Sequence, residues 1–313
     1  MTPMSVRLPL SAALRAACRA ALALAAACVA GALPAQPHDN PSARTEPATA
    51  ARTVVPDRNR AQDTPTGLPY GDGRARGDAP TDPEVLAAPP APIGAPGWSI
   101  ALHYGAVPPL DELRAFDVVV VEPDHRNDPV AHRARSSGRS ELFAYVSIGE
   151  IHPSREYAAQ APAGLLVADN AAWGSRVVDR AHPAWPEFLV ERIVAPLWAS
   201  GYRGFFLDTM DSWQLAARDD AAREAQQAGL ARAIEALAKR FPEARLIANR
   251  GFEVLPRIAP RLSAVAAESL YRGWRQAARR FEDVAPADRD WLLARLGEVR
   301  ERHGLPTIAI DDQ

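Results

Sequence analysis

Gly201-Tyr-Arg-Gly-Phe-Phe-Leu-Asp208-Thr-Met-Asp211-Ser-Trp213 decides the fold. Its apolar run, Gly204 to Leu207, stops on a carboxylate and is followed at once by a second acid and an indole. A nearly continuous apolar segment of this length suits a parallel strand buried on both faces. Six further runs share the pattern, at residues 99–104, 118–122, 142–147, 246–249, 262–268 and 306–311. Amphipathic helical stretches separate them. Phe188, Ile193 and Leu197 share one face, Leu230, Ile234, Leu237 and Phe241 another, and Leu292, Leu296 and Val299 a third. The alternation predicts βα units and a parallel sheet.

Where the polar residues fall separates a barrel from an open sheet. Nearly every run ends on a side chain capable of chemistry: Tyr104, Glu122, Ser147 with Glu150, Asp208, Asn249, Glu268 and Asp311. A (β/α)8 barrel gathers the C-terminal ends of its strands around one opening, and its active site lies there. An open sheet would scatter these groups along a line. No G-x-G-x-x-G turn follows the first strand, which weakens a dinucleotide-binding alternative. The fold expected is therefore α/β, a (β/α)8 TIM-type barrel. Only seven strands are legible, and a closed barrel needs eight. The expectation is a barrel truncated after strand seven. Residues 174–179 read as an additional strand inside the insertion between strands three and four.

The remaining composition bounds the setting. Arg7 and Arg15 precede a small-apolar run from Ala20 to Ala32, so residues 1–35 read as a secretory signal. That run is shorter than the ~20 apolar residues a membrane span requires. Both cysteines, Cys18 and Cys28, fall within it, so the processed chain has no disulfides or Cys-ligated zinc. Loss of Arg7, Arg15 and Arg19 leaves 33 basic against 38 acidic residues, net −5. No basic stripe interleaved with aromatics appears, and nucleic acid is not an expected partner. Residues 36–96 hold 12 of the 29 prolines and one aromatic, Tyr70, and read as a disordered linker to a domain spanning 97–313.

Asp208 and Glu268 are the catalytic candidates. Asp208, on a strand tip, is rigidly held where a nucleophile or base is useful, although Asp before a helix is equally a cap. Glu268 ends the apolar run Ala264-Val-Ala-Ala, so partial desolvation would raise its pKa and suit a general acid. A single Glu at a strand end is more often an ion-pair partner. Two acids on strands four and six of one barrel fit the pair that glycoside cleavage demands. Trp213 offers a flat face for a sugar ring, and Trp173 and Asp179 lie in an insertion that could fold over the cleft. Glu122, Glu150, Asn249 and Glu253 are supporting candidates for hydroxyl and amino groups. Dispersed histidines and the lone Asp208/Asp211 pair support neither a metal site nor a cofactor.

Ala144-Tyr-Val-Ser-Ile-Gly-Glu150, Gly204-Phe-Phe-Leu-Asp208-Thr-Met-Asp211, Ala248-Asn-Arg-Gly-Phe-Glu253 and Ala267-Glu-Ser-Leu-Tyr271 occur in this order. Together they resemble the endo-α-1,4-polygalactosaminidase-like barrels of glycoside hydrolase family 114. They are closer still to the related hydrolase domain (family 166) of Pel exopolysaccharide proteins. The resemblance implies a periplasmic or secreted endo-hydrolase acting on α-1,4-linked galactosamine and N-acetylgalactosamine, with exopolysaccharide export machinery as a possible partner. It implies Asp208 as nucleophile and Glu268 as acid/base, with net retention. It also implies an eighth strand and a following deacetylase domain, and the expectation from this sequence is that both are missing. Tyr104, Tyr145, Asp211 and Tyr271 join Glu122, Glu150, Asp179, Trp213, Asn249 and Glu253 as substrate-binding candidates. A non-catalytic polysaccharide-binding or export scaffold would not need both acids, and a metal-dependent deacetylase would need a histidine-rich site.

Overall fold

The computed structural model describes residues 92–275 and 280–311. The expected signal segment and residues 36–91 of the expected linker lie outside them. Seven strands form one parallel sheet: β1 (Ile100–His103), β2 (Val118–Val121), β3 (Glu141–Ser147), β4 (Gly204–Asp208), β5 (Arg245–Asn249), β6 (Ala264–Glu268) and β7 (Thr307–Ile310). Their order in the sheet is their order in the chain. A doubly wound sheet reverses direction at a switch point, whereas a barrel winds one way. The sheet is therefore the wall of a (β/α) TIM-type barrel, seven-stranded among the described residues.

Alternation along each strand builds two cores. Val118 and Val120 point inward with Ile100, Leu102, Phe143, Phe206, Ile247, Ala264, Ala266, Ile308 and Ile310. Val119 and Val121 point outward, in a larger cluster with Leu142, Phe205, Leu207, Leu246, Val265 and the inner faces of the helices. Residues from β1 and β7, the two edge strands, share the inner cluster, so the sheet curls. Large rings at Phe143 and Phe206 share this inner cluster with the small side chains of Ala264 and Ala266. Gly204 is needed for this packing, because a Cβ there would lie 2.1 Å from the Phe143 ring.

The packed domain begins slightly before the expected boundary at residue 97. Ile93 and Trp98 pack against the inner cluster, and Gly94, at φ +83°, lies against Pro306 at the start of β7. A Cβ at Gly94 would be 2.7 Å from Pro306 Cβ. These residues link the two edge strands at the N-terminal end of the barrel.

Local chemistry sets the helix limits. The long helix Asp220–Arg240 is capped by Asp219, whose Oδ1 accepts from the Ala222 amide at 2.7 Å. The helix Pro286–His303 ends at Gly304 in the left-handed region, φ +65°. Between β3 and β4 the helix Trp185–Phe188 widens into a π-helical stretch, Leu189–Val194, before Ala195–Ala199. Pro196 lacks an N–H and cannot complete the ordinary ladder there, which accounts for the change in winding.

Two smaller sheets decorate the barrel. The insertion after β3 forms an antiparallel sheet of Glu150–Ile151, Leu166–Asn170 and Ser175–Val178, with the last in the middle. The additional strand expected at 174–179 is thus part of this sheet. After β6 the strands Arg272–Arg275 and Arg280–Asp283 form an antiparallel hairpin that the sequence reading does not anticipate.

Candidate active site

The two-residue period that builds the inner core continues beyond it. On β4, Phe206 points inward and so does Asp208; on β5, Ile247 and Asn249; on β3, Phe143 and Tyr145. Glu268 follows Ala264 and Ala266 on β6. Asn249 pairs with Ala266, so Glu268 stands one inward step higher than Asn249, the stagger expected of tilted barrel strands. Asp311 falls one residue out of phase after Ile310. Its Oδ1 instead accepts from the amides of Tyr271 at 2.6 Å and Arg272 at 2.9 Å.

One side-chain amide joins the two acids. Asn249 Nδ2 donates to Asp208 Oδ1 at 2.8 Å and to Glu268 Oε1 at 3.2 Å. The Tyr145 hydroxyl donates to the other Asp208 oxygen, Oδ2, at 2.7 Å. Tyr104 packs edge-on against Tyr145, ring centroids 5.1 Å apart. Asn249 is buried, at 7% exposure, and its Oδ1 has no partner among the described residues.

The same turn follows each of the three strand tips. Thr209 after Asp208, Arg250 after Asn249 and Ser269 after Glu268 have φ of 60°, 61° and 62°. Non-glycine residues enter this region at a conformational cost and stay there only when their surroundings compel it. At Thr209 those surroundings are specific. Its Oγ1 accepts from the Gly149 amide at 2.8 Å and lies 2.9 Å from Ser147 Oγ. Gly149 is required, since a Cβ would meet the Thr209 carbonyl oxygen at 2.1 Å. Arg250 donates its amide to Ala266 O at 2.7 Å and Nη2 to Glu268 O at 3.0 Å.

Burial pushes the Asp208 carboxyl above its ordinary value, and the like charge of Asp211 adds to this. Hydrogen bonds from Tyr145, the Thr209 backbone and Asn249 pull the other way by favouring the anion. Burial, with the Asp208 charge beside it, holds the Tyr145 phenol well above its usual value, so it remains a donor. Beneath the turn lies Arg180, wholly buried, whose Nη1 donates to Met210 O at 2.7 Å. Burial pushes this guanidinium down to about 9, against the stabilising charges of Asp211, Glu150 and Glu253.

Two carboxylates on one amide at the mouth of a (β/α) barrel fit glycoside cleavage, and the comparisons with known proteins agree. Residues 80–288 match Glycoside-hydrolase family GH114. The chain belongs to that family. It is 41% identical to the glycoside hydrolase domain of PelA from Pseudomonas aeruginosa, with a TM-score of 0.61, covering 68% of this chain and 83% of that one. It shares the fold of Aspergillus fumigatus Ega3, solved in complex with galactosamine, at 16% identity and a TM-score of 0.50, covering 68% of this chain and 76% of that one. No curated protein matches. A GH114 member is a glycoside hydrolase, and this chain is one.

Other candidate residues take different places within this GH114 domain. Glu150 is 5% exposed, and its carboxylate is filled by protein donors: Oε1 accepts from Ser212 Oγ at 2.5 Å and Asn170 Nδ2 at 3.0 Å, Oε2 from Ser175 Oγ. Glu122 makes a two-pronged pair with Arg155, at 2.5 and 2.9 Å. Asp179 accepts from Gln226 Nε2 at 2.6 Å and the Ala181 amide at 3.0 Å. The sugar-platform role expected of Trp213 is corrected by its 5% exposure: the 310 turn Ser212–Leu215 rotates the indole into the interior, with Arg223 over its ring. Asp211, Glu253 and Tyr271 are exposed. Sequence reasoning passes over Arg180, Thr209, Ser212 and Arg250. Of these, Thr209 and Arg250 directly follow polar strand ends, which is the one local signal that could have drawn attention to them. Among the described residues no three His, Cys, Asp or Glu side chains gather as a metal site, and no helix is long and apolar enough to cross a membrane.

Proposed function

We propose that this protein is an endo-acting hydrolase of α-1,4-linked galactosamine and N-acetylgalactosamine exopolysaccharide that works with retention, Asp208 as nucleophile and Glu268 as acid/base. The observation that carries the reading is the shared amide. Two carboxylate oxygens at 2.8 and 3.2 Å from one nitrogen can be no farther apart than the sum of those distances, 6.0 Å. Inverting enzymes separate their carboxyls by about 6.5–9.5 Å to admit a water, whereas retaining enzymes hold them about 5–5.5 Å apart. Near oxygens held within 6.0 Å of one another by a shared donor are compatible with the closer, retaining arrangement, and the retention proposed rests on that together with the family resemblance.

In the first step Glu268 gives its proton to the glycosidic oxygen as Asp208 attacks C1. The C1–O bond to the leaving sugar breaks and a glycosyl ester forms on Asp208. In the second, Glu268 takes a proton from water, the water oxygen attacks C1 and Asp208 leaves as the carboxylate. Tyr145 and Asn249 hydrogen-bond the anion of Asp208, keeping a buried carboxyl ionised for attack and stabilising it again as a leaving group. The amino-sugar preference rests on family membership and on the galactosamine complex of the related fold. Export rests on the signal-like composition of residues 1–35, with 36–96 as a tether. The test is incubation with an α-1,4-galactosaminogalactan, mass spectrometry of released oligosaccharides, and proton NMR of the first-formed anomer. An α-product of intermediate length is expected; a β-anomer would exclude retention.

A further inference from the structure

Trp173 is 67% exposed, at the tip between the strands Leu166–Asn170 and Ser175–Val178. The tip does not need an indole to hold its shape. Asn170 Oδ1 accepts from the Ala172 amide and Asn170 O from the Trp173 amide, each at 3.2 Å, and Gly174 supplies the left-handed step at φ +64°. Leaving a large apolar ring in water forgoes the stabilisation its burial would give.

The tip is fastened to the proposed catalytic turn. Asn170 and Ser175 pair across the hairpin just below Trp173. Both donate to the buried Glu150 carboxylate, which also accepts from Ser212, four residues beyond Asp208. The strand Ser175–Val178 packs on the turn Ser212–Leu215 as well. After β6, Tyr271, 55% exposed, stands three residues beyond Glu268. Each carboxylate-bearing strand tip is thus followed or braced by a segment carrying an exposed aromatic residue, Trp173 through the Glu150 link to the β4 turn and Tyr271 after β6.

Resting on the polysaccharide-hydrolase reading above, we propose that Trp173 is a carbohydrate platform at a subsite removed from the scissile bond. Its indole takes the C–H face of an amino-sugar ring of an extended substrate, with the sugar ammonium adding a cation–π contribution. Rigid attachment through Glu150 keeps that ring in register with the reacting one and lowers the entropy lost on binding.

Binding is measured by calorimetry in the full chain carrying Glu268→Gln, titrated with α-1,4-galactosamine oligosaccharides of increasing length. Adding Trp173→Ala is expected to weaken binding of the longer oligosaccharides by about three- to tenfold. Disaccharide affinity and melting temperature stay unchanged, and Trp173→Phe retains most of the affinity. Equal affinities with and without Trp173 at every length overturn the subsite. Absence of binding at any length with Trp173 intact is a different result: it overturns the polysaccharide reading and takes the subsite with it.

Discussion

The Tyr145 hydroxyl donates to Asp208 Oδ2 at 2.7 Å across the tips of neighbouring strands β3 and β4. Burial raises the Asp208 pKa, and this bond is among those opposing the rise. Tyr145→Phe removes a hydrogen bond to a charged group, worth about 1.5–3 kcal/mol, and is expected to lower kcat/KM about tenfold or more. In the proposed mechanism Asp208 attacks as the anion, so losing a bond that favours the anion is expected to move the acid limb of the kcat/KM profile to higher pH. The profile of the variant, measured against the native chain, checks the direction.

Asp208→Asn and Glu268→Gln are each expected to reduce turnover about a thousandfold or more while the fold persists. The Asp208 substitution carries a second signature. With its folded pKa above the unfolded one, the native state holds more protons between the two values, and stability falls as pH rises through that window. Asparagine has no proton to release. Urea unfolding should find Asp208→Asn more stable than the native chain at pH 8, with the difference shrinking towards pH 3. An unchanged difference across that range would sink the assignment of a raised pKa.

How much of this was legible in advance depends on the range of the interactions. Each barrel strand is marked by a local apolar run, and observed limits lie within two residues of those read from the pattern. Asp208, Asn249 and Glu268 share the barrel mouth because period-two alternation is itself local. Glu122 and Glu150 carry the same strand-end appearance, yet their partners Arg155 and Ser212 lie 33 and 62 residues away. Nothing local distinguishes a carboxylate awaiting substrate from one filled by distant donors. Trp213 is misread for a related reason: its neighbours are polar, while the turn that buries it is set by contacts elsewhere. The left-handed residues after the strand tips carry ordinary side chains, Thr, Arg and Ser, with no glycine to announce them.

Glu150→Gln tests the clamp between the insertion and the β4 turn. The carboxylate accepts from three side chains, and an amide would set its own donors against at least one of theirs. Leaving a buried donor unsatisfied costs about 1–3 kcal/mol, so the unfolding free energy should fall by that amount and the denaturant midpoint with it. Because Ser212 belongs to the turn leaving Asp208, kcat should fall too, although Glu150 is buried and its carboxylate is occupied by protein donors. Full activity in a destabilised variant would show that the clamp is structural alone.

Arg250 connects the tip of β5 to that of β6, its Nη2 on Glu268 O at 3.0 Å and its amide on Ala266 O at 2.7 Å. It thereby restrains the backbone from which Glu268, the proposed acid/base, projects. Misplacing a catalytic group by an ångström can lower a rate about a hundredfold, so Arg250→Met should reduce polymer cleavage by about ten- to a hundredfold. Such a loss alone would not separate positioning from general destabilisation. The leaving group does. A sugar alkoxide is a poor leaving group and needs a proton, in the proposed mechanism from Glu268, whereas a nitrophenolate departs without it. Arg250→Met should therefore be impaired far less on a nitrophenyl glycoside of a galactosamine oligosaccharide than on the polymer, as should Glu268→Gln. Arg250→Gly adds a control, because glycine accepts φ 61° freely and isolates the loss of the guanidinium from any backbone strain. Equal impairment on both substrates by the Arg250 variants, with Glu268→Gln still discriminating, would leave Arg250 without a part in proton transfer.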